Sequence, residues 1–471
     1  MEFLSNILFN HFDIILTVLK PLLIFGLLFQ VLPLLVLAER RGAALIQDRP
    51  GPNRAAILIP FTKGFKLRGF GMVFNLADAV KLLFKESYTA AFAHKWWYTF
   101  APAIPVITAI LTPAILPWFG PIVHQTDSGV IQVVSGQIFD ADVGLLLLFA
   151  IGSLSVYGVV LGAWASNSKF SLLGGLRASA MMISYEVSMG LSVLGLLLLI
   201  GDFSLTRIVE WQTANTWGIV VQPVGFMLFL VSMFAECNRN PFDVAEGESE
   251  LVAGFHTEFA SSKFMLFMTA EYLHVLLASV LIATLYLGGY SLLPMPLPIG
   301  HDGAWVTLNT AWVQANLGLV GGLMLLATAG LMLVLSHLVT VHKRAYAMKT
   351  VSDKEERVRE FSFFAFVFMF LAFVTFAGGV LCLVIGGPAP LPGIIYEANP
   401  VYPLWVSIIT AVIQLKIVLD KTLLIAWLFI WVRWTLPRFR YDQIMALGWK
   451  IMLNIALVNL LVTALIAKLV K

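Results

Sequence analysis

Trp217-Gly-Ile-Val-Val-Gln-Pro-Val-Gly-Phe-Met-Leu-Phe-Leu-Val-Ser-Met-Phe-Ala-Glu236 is an apolar run that passes directly into Cys237-Asn-Arg239-Asn-Pro-Phe-Asp243-Val-Ala-Glu246-Gly-Glu248-Ser-Glu250-Leu-Val-Ala-Gly-Phe-His256-Thr-Glu258. A second apolar run follows over residues 264–287. A helix that crosses a bilayer needs about 20 mostly apolar residues. The two runs therefore read as membrane spans, and the acidic segment, 237–262, as the loop joining them. Asp243, Glu246, Glu248 and Glu250 crowd into that loop, with Arg239 and Glu258 at its flanks. A chain that only had to sit in lipid has no reason to gather carboxylates there. Charges at the edge of the hydrocarbon are costly and mark function. Crowded carboxylates titrate as a coupled set, which suits groups that move protons.

Working outward, the same reading finds ten spans, at roughly 15–38, 97–119, 142–164, 178–200, 217–236, 264–287, 315–341, 361–386, 404–432 and 448–468. Only 12% of the 471 residues are charged and 59% are hydrophobic, against about 25% charged in a soluble domain. The fold class is an all-α polytopic membrane protein. Continuous apolar runs exclude a β-barrel, whose strands alternate polar and apolar. A net charge of +3 gives no basis for nucleic-acid binding. The two cysteines, Cys237 and Cys382, stand in different segments, without the spacing of a zinc or iron–sulfur site. Neither a dinucleotide fingerprint nor a phosphate loop occurs.

Basic residues orient the chain. Connections on one face hold 24 of the 30 Lys and Arg, beginning with Arg40, Arg41, Arg49 and Arg54, whereas the loops near 120–140, 288–314 and 387–403 hold none. The positive-inside rule then places the basic face and the acidic loop in the cytoplasm and both termini outside. On that face, Phe74–Glu86 sets Phe74, Ala77, Val80 and Phe84 on one side and Asp78 and Lys85 on another. This pattern predicts an amphipathic helix in the interface, with a short connector packed on the span ends as the alternative.

Several ionisable residues fall inside spans. They are Glu186 in the fourth, Glu271 in the sixth with His274 one turn on, and Lys416, Asp420 and Lys421 in the ninth. Lys416 and Asp420 are four apart and pair on one helix face; Lys421 points elsewhere and needs another partner. Each alone reads equally as a packing ion pair. Together with the loop carboxylates they outline a hydrated polar path. His256 and His274 are expected as packed polar residues.

Five segments, in order, carry a resemblance. They are Ala38-Glu39-Arg40-Arg41 through Gln47-Asp-Arg49-Pro-Gly51-Pro-Asn53-Arg54; Asp78-Ala-Val-Lys81 to Glu86; Gly162-Ala-Trp-Ala-Ser-Asn167 through Arg177 to Tyr185-Glu186; the acidic loop; and Arg433-Trp-Thr-Leu-Pro-Arg438 through Asp442-Gln443 to Trp449-Lys450. The chain resembles the H-subunit family of the proton-pumping NADH:quinone oxidoreductase, respiratory complex I. The match covers most of 15–287 and 404–471.

The resemblance implies a bacterial inner-membrane subunit that forms the quinone-binding tunnel and the carboxylate route coupling quinone reduction to proton translocation. Quinone is then the substrate. FMN and iron–sulfur clusters belong to partner subunits, and the partners are the hydrophilic-arm quinone-site subunits, small membrane-arm subunits and the lipid bilayer. The first span, the amphipathic helix and the sixth span shape the tunnel in the family. Glu39, Arg40, Arg49, Asp78 and Arg239 match tunnel and rim positions. Glu186, Asp243, Glu246, Glu248, Glu250, Glu258, Glu271 and Lys421 match the proton-coupling set. Typical members have eight spans. The division expected here is a family core over 1–287, an inserted region over 288–403 with two extra spans, and a C-terminal family core over 404–471. Ala56–Met72 also reads as longer than usual. The nearest rival is the homologous subunit of a membrane-bound hydrogenase-type complex. A stand-alone ion-coupled transporter would show repeated halves, which are not found.

Overall fold

The computed structural model describes residues 12–49, 51–58, 66–125, 131–245, 252–293, 307–347, 354–391, 394–396 and 399–470. The chain is a helical membrane protein in which every expected span is helical. The helices are α1 (Phe12–Ile46), α2 (Met72–Phe84), α3 (Lys95–Phe100), α4 (Ala103–Leu111), α5 (Gly144–Ala165), α6 (Lys169–Ile200), α7 (Leu205–Ala214), α8 (Gly218–Val221), α9 (Pro223–Glu236), α10 (Ser261–Tyr286), α11 (Thr310–Ala315), α12 (Leu317–Ala347), α13 (Lys354–Ile385), α14 (Leu404–Thr435), α15 (Tyr441–Ala446) and α16 (Leu453–Val470). A π-helical turn, Leu447–Met452, joins the last two into one rod. Eight of these stretches are long and apolar enough to cross a membrane. The two other spans depart for visible reasons. α9 has only 14 residues, and α14 carries Lys416, Asp420, Lys421 and Arg433.

Several boundaries differ from those expected, and each difference has a local cause. α1 runs on past residue 38 through Glu39-Arg40-Arg41 to Ile46, so the motif after the first span is itself helical. The second span is broken between α3 and α4, where Pro102 lacks the amide a continuous helix needs. Pro223 restarts the fifth span as α9 in the same way, at the first helical turn. The connection near 120–140 is an antiparallel hairpin pairing Ile122 with Val134 and Gln125 with Ile131.

The core lies between α6, α9, α10 and α14. Tyr185, Met181, Leu196, Phe229 and Tyr286 are fully buried there, and Phe234 stacks on Phe429 with ring centroids 4.1 Å apart. Polar ties fix the periphery. The Tyr185 hydroxyl donates to the Ile444 carbonyl at 2.9 Å, and Asn459 donates to Gln222 at 3.0 Å. Outward faces are apolar, with Leu22, Leu23, Phe366, Phe373, Leu461 and Leu465 exposed, as lipid contact requires.

α2 is helical over the stretch expected to be amphipathic. Its polar side faces α1, where Asn75 donates to the Pro33 carbonyl at 2.8 Å and Asp78 pairs with Arg40 at 2.7 Å. Leu76, Val80, Leu83 and Phe84 are exposed. Ser261, at the start of α10, donates to the carbonyls of Leu82 and Lys85 and so fixes the far end of α2.

Candidate functional site: a charged cavity and the carboxylates behind it

Because α1 stays helical through its motif, Glu39, Arg40 and Ala43 face a cavity of about 720 Å³. Gln47, Arg49, Gly51 and Pro52 close one side of it. Phe74 and Asp78 of α2 close another. Asn240 and Asp243 of the acidic loop, with Arg433, Trp434 and Arg438 at and beyond the end of α14, complete it. The loop and the chain after α14 are stitched together. Phe439 N–H donates to the Pro241 carbonyl at 3.1 Å, and Asn240 donates to the Arg433 carbonyl at 3.4 Å. The Asn240–Pro241 peptide is cis.

The cavity wall is a set of ion pairs. Arg40 holds Asp78 and lies over the Phe74 ring at 5.3 Å. Arg438 holds Asp243 at 2.8 Å, and Arg433 holds Glu39. Among the described residues, Arg40, Arg49, Arg433 and Arg438 thus face Glu39, Asp78 and Asp243, a small positive excess in a partly desolvated space.

Behind the wall stands Arg239, which is 7% exposed. Its Nη1 lies 3.6 Å from Glu39 Oε2 and its Nη2 3.9 Å from Glu271 Oε2. The Tyr272 ring packs on the guanidinium at 4.1 Å. Arg239 therefore joins a carboxylate of the cavity to one on α10. Glu271 and His274, one turn apart, then line a gap of about 20 Å³ together with Glu236. Glu236 and His274 also line a cavity of about 70 Å³ that reaches Glu186. Ser153 of α5 hydrogen-bonds the Glu186 carboxylate there. One water needs about 10–15 Å³, so the first gap has room for a single water and the second for several.

Of the expected site residues, Glu39, Arg40, Arg49, Asp78 and Asp243 converge on the cavity, and Arg239, Glu271 and Glu186 form the row behind it. Glu246, Glu248 and Glu250 lie outside the described residues. Glu258 is half-buried, and its backbone carbonyl accepts from Tyr98 at 2.5 Å. Lys421 is elsewhere. Its Nζ donates to the carbonyls of Leu287, Gly289 and Ser291 at 2.6, 2.8 and 2.6 Å. Leu287 follows Glu271 by sixteen residues, roughly 24 Å along a helix axis. The Lys416–Asp420 pair is present at 2.5 Å. His256 is packed among Phe255, Phe264 and Phe267, as expected.

His274, expected as a packed polar residue, lines both inner cavities. Glu236, Arg433, Arg438 and Tyr272 are further site residues that reading the sequence did not single out. The signal for His274 was its one-turn spacing from Glu271. For Glu236 it was a carboxylate ending an apolar run. The two arginines stood inside a quoted segment but carry no spacing that ties them to Glu39 or Asp243.

Among the described residues, α1, α2, the 240–243 loop and Arg433–Arg438 wall the cavity, and α10 lies behind Arg239 with Tyr272, Val275 and Glu271.

Residues 19–344 and 358–464 match the NADH dehydrogenase family. The chain belongs to that family. It is 35% identical over 426 residues to an NADH-quinone oxidoreductase H-subunit of Cytophaga hutchinsonii, covering 90% of this chain and 89% of the relative. It is 35% identical over 451 residues to the namesake in Geobacter metallireducens, covering 96% of each. It is 34% identical over 469 residues to that of Solibacter usitatus, covering 98% of each. The family match runs through all but three residues of α12 and most of α13, the two helices expected as an insertion.

Proposed function

We propose that this chain is the quinone-site and coupling membrane subunit of a proton-pumping NADH:quinone oxidoreductase. The observation that carries the reading is the charged 720 Å³ cavity joined through one buried arginine to carboxylates inside the helical bundle. Its volume lies in the range of small-molecule sites. A quinone head is polar and takes hydrogen bonds from arginine, while its tail is long and apolar. The exposed apolar side of α2, next to the cavity, suits the tail.

Reduction converts quinone to quinol by taking up two electrons and two protons. In this reading the electrons come from partner subunits that hold FMN and iron–sulfur clusters, among them the hydrophilic-arm subunits, and small membrane-arm subunits adjoin the chain in lipid. As electrons arrive, negative charge grows on the quinone oxygens, and Arg40, Arg433 and Arg438 stabilise it. An arginine drawn to that charge loosens its own carboxylate partner. Loss of the Arg433–Glu39 contact would leave Glu39 to compete for Arg239, and so weaken the hold of Arg239 on Glu271. A change of about 1.4 kcal/mol in such a contact moves a pKa by one unit. The reduction would thereby reach Glu271, Glu236 and Glu186 as a change in proton affinity, with water in the two inner gaps as carrier. The acidic residues Glu246, Glu248, Glu250 and Glu258 extend the set on the loop side. Lys421 we assign to holding the 287–291 turn against α14. The membrane is the bacterial inner membrane, with the basic face cytoplasmic and both termini outside.

The test is NADH-driven quinone reduction by the assembly that co-purifies with this chain, with and without a tunnel-blocking quinone analogue. Asp78→Asn should raise the quinone KM and weaken the analogue about tenfold, the scale of one charge-assisted hydrogen bond. Turnover insensitive to the analogue, or an Asp78→Asn assembly with unchanged constants, would remove the cavity from the reaction.

A further inference from the structure

A second cavity, of about 480 Å³, lies on the other side of Arg49 and Gly51, between α1 and the hairpin of α12 and α13. Its body is apolar, built from Leu335, Leu338 and Val339 of α12, Phe361 and Phe368 of α13, and Phe70. Its polar end carries Arg41, Arg357 and His342 besides Arg49.

Among the described residues, no carboxylate lines this cavity beside those cations. Arg357 is 8% exposed. Its Nη2 donates to the Asn53 carbonyl at 2.8 Å and its guanidinium lies 5.4 Å from the Tyr346 ring centre, both neutral partners. Arg41 faces the Phe70 ring at 5.7 Å. The buried Nε atoms of Arg41 and Arg357 both lack a hydrogen-bond partner among the described residues. The carboxylate of Glu360 lies near enough for its charge to act on Arg41, but its direct contacts are made outside the cavity. It accepts from the backbone N–H groups of Arg68 and Gly69 at 2.8 and 2.9 Å and faces the Arg68 guanidinium at 3.8 Å. Buried cations are normally paired, and guanidinium is the group that binds phosphate oxygens in a two-pronged contact. Basic pockets between membrane helices on one face recognise anionic lipid headgroups.

We infer that this cavity binds an anionic phospholipid, with its phosphodiester on Arg41 and Arg357 and an acyl chain along Leu335, Leu338, Phe361 and Phe368. Charge complementarity selects the head and the apolar body selects the chain. The occupied site would brace the 49–53 segment, which the main cavity shares.

The test is native mass spectrometry and lipid extraction of the detergent-solubilised complex holding this chain, delipidated and then given phosphatidylglycerol, phosphatidylcholine or inorganic phosphate. Wild-type complex should retain phosphatidylglycerol at least about tenfold better than phosphatidylcholine. Arg41→Gln with Arg357→Gln should abolish that preference, the scale expected for lost charge-assisted contacts. Leu338→Trp, which fills the apolar body and keeps both cations, should lower retention too, and it serves if the arginine variant fails to assemble. Equal retention of both lipids, retention unchanged by either variant, or competition by millimolar inorganic phosphate would overturn the proposal; the last would make the site one for free anions. None of these readouts depends on quinone turnover.

Discussion

At the residue scale the account turns on Arg239, because a single guanidinium spans Glu39 and Glu271. Lysine keeps the charge but lacks the planar fork that lets one side chain face two acceptors. Arg239→Lys should therefore assemble and yet lose about tenfold or more in NADH-driven quinone reduction. Arg239→Met should be worse, since stripping one partner from a buried ion pair costs about 3–5 kcal/mol. Adding Glu271→Gln to it should restore part of the thermal stability in a melting assay, and no restoration would mean that the pair is not energetically coupled. Glu186 offers a second probe. Glutamine there can keep the Ser153 contact but cannot carry a proton, so Glu186→Gln should depress proton translocation in proteoliposomes while leaving quinone-analogue affinity within about twofold. The ionisable residues were legible in the sequence because charge in an apolar run stands out. Apart from Lys416 with Asp420, four residues on, their pairing was not. Glu39 and Arg433 are 394 positions apart, and no local spacing joins them. The lysine at 421 was legible as needing a partner, yet its partners are backbone carbonyls, which no side-chain pattern announces.

At the element scale the helices were legible because runs of about 20 apolar residues permit little else in lipid. What was not legible was where α1 ends. Arg and Glu end an apolar run without ending a helix, and the extension to Ile46 is what aims Glu39 and Arg40 into the cavity. Two glycines set the approach of neighbouring elements at this end. Gly71 precedes α2 with φ +101°, and a Cβ there would lie 2.4 Å from the Pro52 carbonyl oxygen. Gly71→Ala should push Pro52 out of the cavity wall, raise the quinone KM, and lower Tm. On α1, a Cβ at Gly42 would sit 1.6 Å from the Trp434 ring. Overpacking of this kind costs about 1–3 kcal/mol, so Gly42→Ala should lower the Tm of the purified complex; an unchanged Tm would show that Trp434 moves freely.

At the scale of the whole molecule, the α12–α13 hairpin is tied to the stretch that leads into α2, whose Phe74 and Asp78 wall the cavity. Glu360 accepts from the Arg68 and Gly69 amides, Glu356 pairs with Lys66 at 3.0 Å and Arg68 at 3.3 Å, and Phe70 packs on Phe364 with ring centres 4.7 Å apart. Glu360→Ala would take the acceptor from the backbone amides of Arg68 and Gly69, at about 1–3 kcal/mol for each orphaned group, while the Arg68 guanidinium keeps Glu356. The expected outcome is faster limited proteolysis near residues 66–71 with the helices intact by circular dichroism. Unchanged cleavage would mean that the hairpin does not hold this segment. The sequence marked the hairpin as two spans but could not show this docking, which depends on contacts made about 290 positions apart.

The central claim is that quinone is reduced against the wall formed by α1, α2, the 240–243 loop and Arg433–Arg438. Its most direct test is photo-crosslinking of the intact complex with a quinone bearing a photoreactive group on the ring, followed by peptide mapping. The account predicts labels within residues 39–52, 74–78, 240–243 and 433–438, all suppressed by excess quinone. Suppressible labels confined to other parts of this chain, or to partner subunits alone, would contradict it.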